Sequence, residues 1–167
     1  LDYFLHKRLS RSIFIGTVPI VLLGGSIKLF APYFFEEVLR SNLSIALVSL
    51  VMAIFMYMAE ISIKGSKNLK NHTYSDSFLI GISQAFAIFP GISRSGVTLS
   101  TAILSGWERV DAAKFSFILG IPAISIAAIV ELISSYGEFS SFSFLPLVLG
   151  LFTTFVSSLF AIDFLLK

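Results

Sequence analysis

The sequence predicts an all-helical protein embedded in a bilayer, and three observations predict it. Of its 167 residues, 56% are hydrophobic and only 13% are charged, with a mean hydropathy of +0.90. A soluble domain carries about 25% charged residues to solvate its surface. Apolar runs close to the length of about 20 residues that a helix needs to cross the hydrocarbon core recur along the chain. Lysine and arginine gather on alternate connections between those runs, as they do when cytoplasmic and non-cytoplasmic loops alternate. Several classes are excluded at once. There is no cysteine, so disulfides and thiolate metal sites are out. A net charge of +2, scattered along the chain, offers no nucleic-acid surface. His6 and His72 lie far apart in basic, polar segments and are expected to be solvated loop residues rather than ligands.

The first span is expected at residues 12–30, interrupted by Gly16, Pro19 and Gly24-Gly25, breakers that membrane helices tolerate when neighbours satisfy the backbone. A second, almost purely apolar until Glu60, runs over 43–61. A basic linker with Lys64, Lys67, Lys70 and His72 comes next. The stretch 77–106 differs from the rest: two apolar segments, each about half a span long, flank Pro90-Gly91-Ile92-Ser93-Arg94-Ser95-Gly96. Proline removes a donor and glycine permits tight turns. The expected form is a re-entrant hairpin, the alternative a single kinked span. Trp107, in the charged turn Trp107 to Asp111, suits a membrane interface. A third span is expected at 112–134, with Lys114 free to snorkel and a break at Gly120-Ile121-Pro122. A fourth occupies 144–166. The result is one membrane domain, 1–167, of about four spans and one hairpin. The segment before the first span and the linker are basic, whereas the connections around Glu36-Glu37 and Glu138 are not. The termini, linker and Trp107 turn are therefore expected on the cytoplasmic side. Because the chain opens on Leu1 without a signal peptide and stops at Lys167 directly after an apolar segment, it reads as an excerpt of something longer.

Chemistry concentrates at the hairpin tip, in Ser93, Arg94, Ser95 and Thr98. A guanidinium in a membrane segment costs roughly 2.5–3.5 kcal/mol on insertion scales, so it is kept where an anion pairs with it. No acidic residue lies within ten positions of Arg94, and the nearest carboxylates, Asp76 and Glu108, fall at the predicted surface, which leaves a ligand, a distant carboxylate or water to pair with it. The hydroxyls, the turn's N–H groups and the positive end of the second half-helix converge on the same point. Arginine's planar fork matches phosphate oxygens. These features together describe a phosphate or diphosphate site. Glu60 and Asp163 near span ends are expected to be interfacial, Glu131 to lie deeper, near the non-cytoplasmic end of the third span, with a functional contact as the lesser reading, and Ser125, Ser157 and Ser158 to pack helices.

The run from Gly81 to Thr98, GISQAFAIFPGISRSGVT, resembles the signature PG-x-SRSG-x-T of the undecaprenyl-diphosphate phosphatases. The run from Ala112 to Pro122, AAKFSFILGIP, is similar to that family's A-x-x-FSFLLAIP stretch. The resemblance implies removal of the terminal phosphate of undecaprenyl diphosphate, which regenerates the monophosphate carrier lipid for cell-wall synthesis in the bacterial plasma membrane. It implies Arg94 and Ser93 as catalytic residues. Arg94, Ser93, Ser95, Thr98, Gly91, Gly96 and Gln84 would bind substrate. Membrane lipids would surround the protein, and a homodimer is allowed. It also implies a divalent cation, Mg or Ca, although none of its ligands is in this sequence. The family's earlier motif, E-x-x-x-E-F-L-P-[IV]-S-S-T-G-H, has no match here. By an inverted-repeat relationship Gln84 and Ile88 stand where that motif has its two glutamates. The base, the metal-binding carboxylates and the histidine are therefore expected upstream of this chain, leaving it inactive alone. A transporter or flippase half for an anionic lipid or small anion is the alternative, since broken helices aimed at anions are also transporter features. The acid phosphatases that share a Ser-Arg pair need a histidine soon after it, and none follows Arg94.

Overall fold

The computed structural model describes residues 2–30, 40–62, 65–134 and 144–166. Six α-helices occupy them: α1 (Asp2–Phe30), α2 (Asn42–Glu60), α3 (Tyr74–Ala85), α4 (Arg94–Leu104), α5 (Arg109–Ser134) and α6 (Phe144–Leu166). A 3₁₀ turn, Phe86–Ile88, follows α3. Among the described residues three stretches are long and apolar enough to cross a membrane, Lys7–Ile27, Asn42–Glu60 and Arg109–Ser134, and Leu145–Ala161 is a shorter apolar helix. This is a multi-pass helical membrane protein. Its exposed large apolar side chains, such as Phe14, Leu50, Ile54, Phe117 and Phe160, suit a lipid solvent. The chain divides into two units, residues 1–126 and 127–167. The connection bearing Glu36 and Glu37, the loop at Glu138 and the side chain of Asp163 lie outside the described residues.

In the first unit, α1 begins ten residues earlier than the expected span. Its basic segment is helical because Arg8 and Ser12, one turn apart, face the linker. The Arg8 guanidinium donates to the carbonyls of Lys70, at 3.0 Å, and His72. Neither Pro19 nor the Gly24-Gly25 pair interrupts α1, and Pro122 does not interrupt α5. A single missing donor leaves the rest of the helical ladder intact, and in a bilayer the backbone has no better partner than itself. Gly16 of α1 and Gly81 of α3 let the two backbones touch. A β-carbon on Gly81 would lie 2.5 Å from the Gly16 carbonyl oxygen. Such close approach supplies the packing energy that the hydrophobic effect does not provide between helices in lipid.

The core brings together Ala59, Ile80, Ala102, Ile103, Trp107, Ala112, Phe115 and Leu119, with Leu9, Ile13, Leu69 and Leu99 packed against it. Two expectations are corrected here. Trp107 is fully buried rather than interfacial, its ring centroid 5.1 Å from that of Phe115. The linker pulls it inward: Lys67 N donates to Gly106 O at 2.9 Å and Glu108 N to Lys67 O at 2.8 Å, across a turn where Gly106 has φ +86°. His72, expected in solvent, is likewise fully buried, 5.4 Å from Trp107 and 5.9 Å from Phe115. Its Nδ1 lies 2.9 Å from Leu69 O and its Nε2 2.7 Å from Ser12 Oγ. A carbonyl can only accept, so Nδ1 carries the proton and the Ser12 hydroxyl donates to Nε2. His72 thus ties α1 to the linker.

Candidate anion site at the hairpin tip

The two legs of the hairpin are α3 and α4, and each starts on a side-chain cap. Thr73 and Asp76 form a capping box: Thr73 Oγ1 accepts from Asp76 N at 3.1 Å, and Asp76 Oδ2 from Thr73 N at 2.8 Å. Lys67 Nζ pairs with Asp76 Oδ1 at 2.8 Å. Burial pushes the Asp76 carboxyl up, but the hydrogen bonds from Lys67 and Thr73 more than offset it and hold the group below its ordinary value. This charged end marks the polar base of the hairpin.

At the other end α3 tightens into the 3₁₀ turn and the helix stops. Phe89 to Ile92 make a reverse turn closed by Ile92 N donating to Phe89 O at 3.2 Å, with proline second and glycine third. Gly91 has φ +98°, the left-handed region that a type II turn requires at that place. A β-carbon there would also meet Ile45 O at 2.8 Å, and Ser49 Oγ of α2 donates to Gly91 O at 3.3 Å. Ser93 then caps α4, its Oγ accepting from Gly96 N at 3.2 Å. A β-carbon on Gly96 would crowd Ser93 Oγ at 3.0 Å, so glycine keeps this cap tight.

The residues singled out from sequence gather around this turn. Ser93 and Ser95 are exposed, Arg94 is half-buried, and Thr98 and Gln84 are buried. Arg94 Nη1 donates to Gln84 Oε1 at 3.5 Å, and Gln84 Nε2 to Gly16 O at 3.5 Å. No carboxylate among the described residues pairs with Arg94. Gly96 N and Val97 N are taken by Ser93. The N–H groups of Arg94 and Ser95 have no acceptor among the described residues, which leaves donors at the positive end of α4. Thr98 sits behind the turn rather than at its face. Its hydroxyl donates to Arg94 O at 3.0 Å and also meets Ser116 Oγ of α5.

Sequence reasoning places Gly120 only in a helix break and Ser116 only within the AAKFSFILGIP stretch, yet both complete the surroundings of Arg94 from α5; the signal available is their spacing of one helical turn on its buried face. Every polar group at the tip face is a cation, a hydroxyl, an amide or an N–H. This set fits an anion and does not fit a divalent cation, which takes carboxylate oxygens. Among the described residues no three of His, Asp or Glu come together. Beside the tip, α2, α3, the 3₁₀ turn and α4 enclose an apolar cavity of about 690 Å³. Leu47, Val51, Met52, Phe86, Phe89 and Ile92 are among the side chains that line it.

Residues 5–167 match the family described as bacitracin resistance protein BacA. The chain belongs to that family. Among curated proteins, this BacA-family chain is 75% identical to an undecaprenyl-diphosphatase of Prochlorococcus marinus strain MIT 9312, covering 99% of the chain and 62% of that relative. It is 72% identical to the undecaprenyl-diphosphatase of strain MIT 9301, over 100% of the chain and 63% of the relative. It is 49% identical to that of Synechococcus sp. strain CC9902, over 96% and 57%. The BacA-family chain therefore spans about three fifths of the length of the curated relatives it matches.

Proposed function

We propose that this chain supplies the diphosphate-binding half of an undecaprenyl-diphosphate phosphatase of the bacterial plasma membrane. The observation that carries the reading is Arg94: a guanidinium at a helix N-terminus inside a membrane hairpin, held by a neutral amide and facing no carboxylate among the described residues. The relatives' activity supports it, as does the match over residues 5–167. Arg94 grips the diphosphate through its fork, with Ser93, Ser95 and the first N–H groups of α4 on the same oxygens. As charge spreads over the transferred phosphoryl group, these fixed donors stabilise it, and positioning of this kind accounts for most phosphoryl-transfer catalysis. Thr98 and Gly96 shape the turn from behind, and Gln84 orients the guanidinium. The apolar cavity flanked by Phe89 and Ile92 takes the first units of the isoprenyl chain. The divalent cation and the group that activates water belong to the portion that the relatives carry beyond the aligned region. A homodimer is compatible with this arrangement and is not required by it.

The test is phosphate release from undecaprenyl diphosphate with divalent metal. It compares this chain alone with the chain completed by the relatives' remaining portion, each with and without Arg94→Ala. Release by the completed protein only, lost in the variant, is expected. Binding of the lipid diphosphate without release by the completed protein would favour a transporter, and release by this chain alone would refute its dependence on the relatives' further portion.

A further inference from the structure

Arg94 is held from two sides, and the side formed by α5 is built from two small residues one turn apart. The Ser116 hydroxyl donates to Thr98 Oγ1, which itself donates to Arg94 O at 3.0 Å, and Ser116 Oγ lies 3.4 Å from Ser95 O. The backbone of the Arg94 turn is thereby fixed to α5. One turn further on, Gly120 meets the guanidinium itself. A β-carbon on Gly120 would lie 2.8 Å from Arg94 Nη2 and 2.9 Å from Cζ, and nearer still to Nη1. None of these separations is available to a real β-carbon contact, so the guanidinium lies against α5 only because Gly120 has no side chain. Opposite it stands Gln84, itself pinned to Gly16 O. The fork therefore sits in a slot between an amide and a bare stretch of helix.

We propose that Gly120 is a positioning residue for Arg94, setting the depth of its guanidinium and hence the reach of its fork toward a phosphate. The proposal rests on the reading of Arg94 as the anion-binding group. The three atoms nearest an added methyl all belong to the far end of one flexible side chain, that of Arg94. Gly120→Ala should accordingly fold, with the guanidinium pushed out of the slot rather than the helices pushed apart.

Two readouts test this. In detergent micelles, modification of Arg94 by phenylglyoxal is followed by mass spectrometry, with Arg109 as the internal reference. Gly120→Ala should raise the Arg94 rate several-fold and leave Arg109 unchanged; an unchanged Arg94 rate would overturn the proposal. In the completed, active protein, Gly120→Ala should lower kcat/KM about tenfold, since a misplacement of about 1 Å can cost about a hundredfold. In an Arg94→Lys background, where no planar fork needs the slot, the same substitution should cost less than about twofold. Equal losses in both backgrounds would mean that Gly120 serves helix packing, and the proposal fails. If Gly120→Ala does not accumulate, Arg94→Ala/Gly120→Ala should, because removing the guanidinium makes room for the methyl; loss of both would also overturn it. Absence of phosphatase activity in the completed protein would count against the function proposed above, and the labelling rate would still decide the role of Gly120.

Discussion

His72→Ala should be among the most destabilising substitutions outside the hairpin tip. The imidazole is fully buried against Trp107 and Phe115 and bonds Ser12 and Leu69. Removing a buried ring of this size costs about 3–5 kcal/mol, and each lost hydrogen bond accounts for about 1 kcal/mol of it. At about 2–4 °C per kcal/mol for a chain of this length, Tm should fall by about 6–20 °C. Ser12→Ala, which removes one of the two bonds, should cost about 1 kcal/mol. Burial holds the His72 imidazole below its ordinary value of 6.5. The Leu69 carbonyl opposes that, Arg8 adds to the lowering, and Asp76 again opposes it. The folded state therefore favours neutral His72, whereas the unfolded chain protonates near the ordinary value. Stability from this residue is complete above about pH 6.5 and declines as pH falls toward the lower folded value, by up to about 1.4 kcal/mol per pH unit. Thermal unfolding in detergent between pH 8 and pH 5 measures both effects. His72→Gln, which keeps a donor and an acceptor but cannot titrate, should flatten the acid limb. An acid limb unchanged in that variant, or a His72→Ala cost below about 1 kcal/mol, would refute the assignment of His72 as the neutral tie between α1 and the linker.

Gly91→Ala should cost about 1–3 kcal/mol for the left-handed backbone alone, and more for the contact with Ile45 O; thermal unfolding and phosphate release in the completed protein should fall together. Val51→Trp fills the apolar cavity beside the tip. It should raise KM for undecaprenyl diphosphate about tenfold, equivalent to about 1.4 kcal/mol, and leave a short-chain isoprenyl diphosphate nearly unaffected. An equal effect on both substrates would place the lipid chain elsewhere.

Proline and glycine look alike in the sequence as breakers, and the structure separates them. Pro19, Pro122 and the Gly24-Gly25 pair lie inside unbroken helices, whereas Pro90-Gly91 ends one. The residues next along the chain make the difference. After Pro90-Gly91 comes Ser93, a cap that starts a new helix, so the backbone released by the turn is satisfied at once. A serine, Ser125, stands at the same spacing after Pro122, but no glycine follows that proline and the Ser125 hydroxyl donates back to Ile121 O at 2.8 Å, so the helix runs on and pairs its backbone with itself, as it does past Pro19. Local grammar of that kind makes the hairpin legible, together with the Thr73-Asp76 box that begins it. His72, Trp107 and Gly120 are not legible in the same way, because their surroundings come from distant parts of the chain. His72 meets Ser12, Trp107 meets Lys67, and Gly120 meets Arg94.

On the proposed reading the tip binds the diphosphate, and Glu60, Asp76 and Asp111 stand too far from it to act there. Glu60 pairs with Arg109, Asp76 with Lys67, and Asp111 with Lys114 and Leu69 N, all around the base of the hairpin. With 12 residues in α3 and 11 in α4, at about 1.5 Å per residue these legs hold the base about 16–18 Å from the tip. A carboxylate at that distance can neither take a proton from an attacking water nor hold a metal against the diphosphate. Each is, besides, already paired with a cation. Moving one to the tip would place it beside Arg94 and cancel the charge proposed to draw the diphosphate. Anion binding and base catalysis thus compete for the same few ångströms of one hairpin. Drawing the base from a second element removes the conflict, because each side can then keep one sign of charge until substrate lies between them.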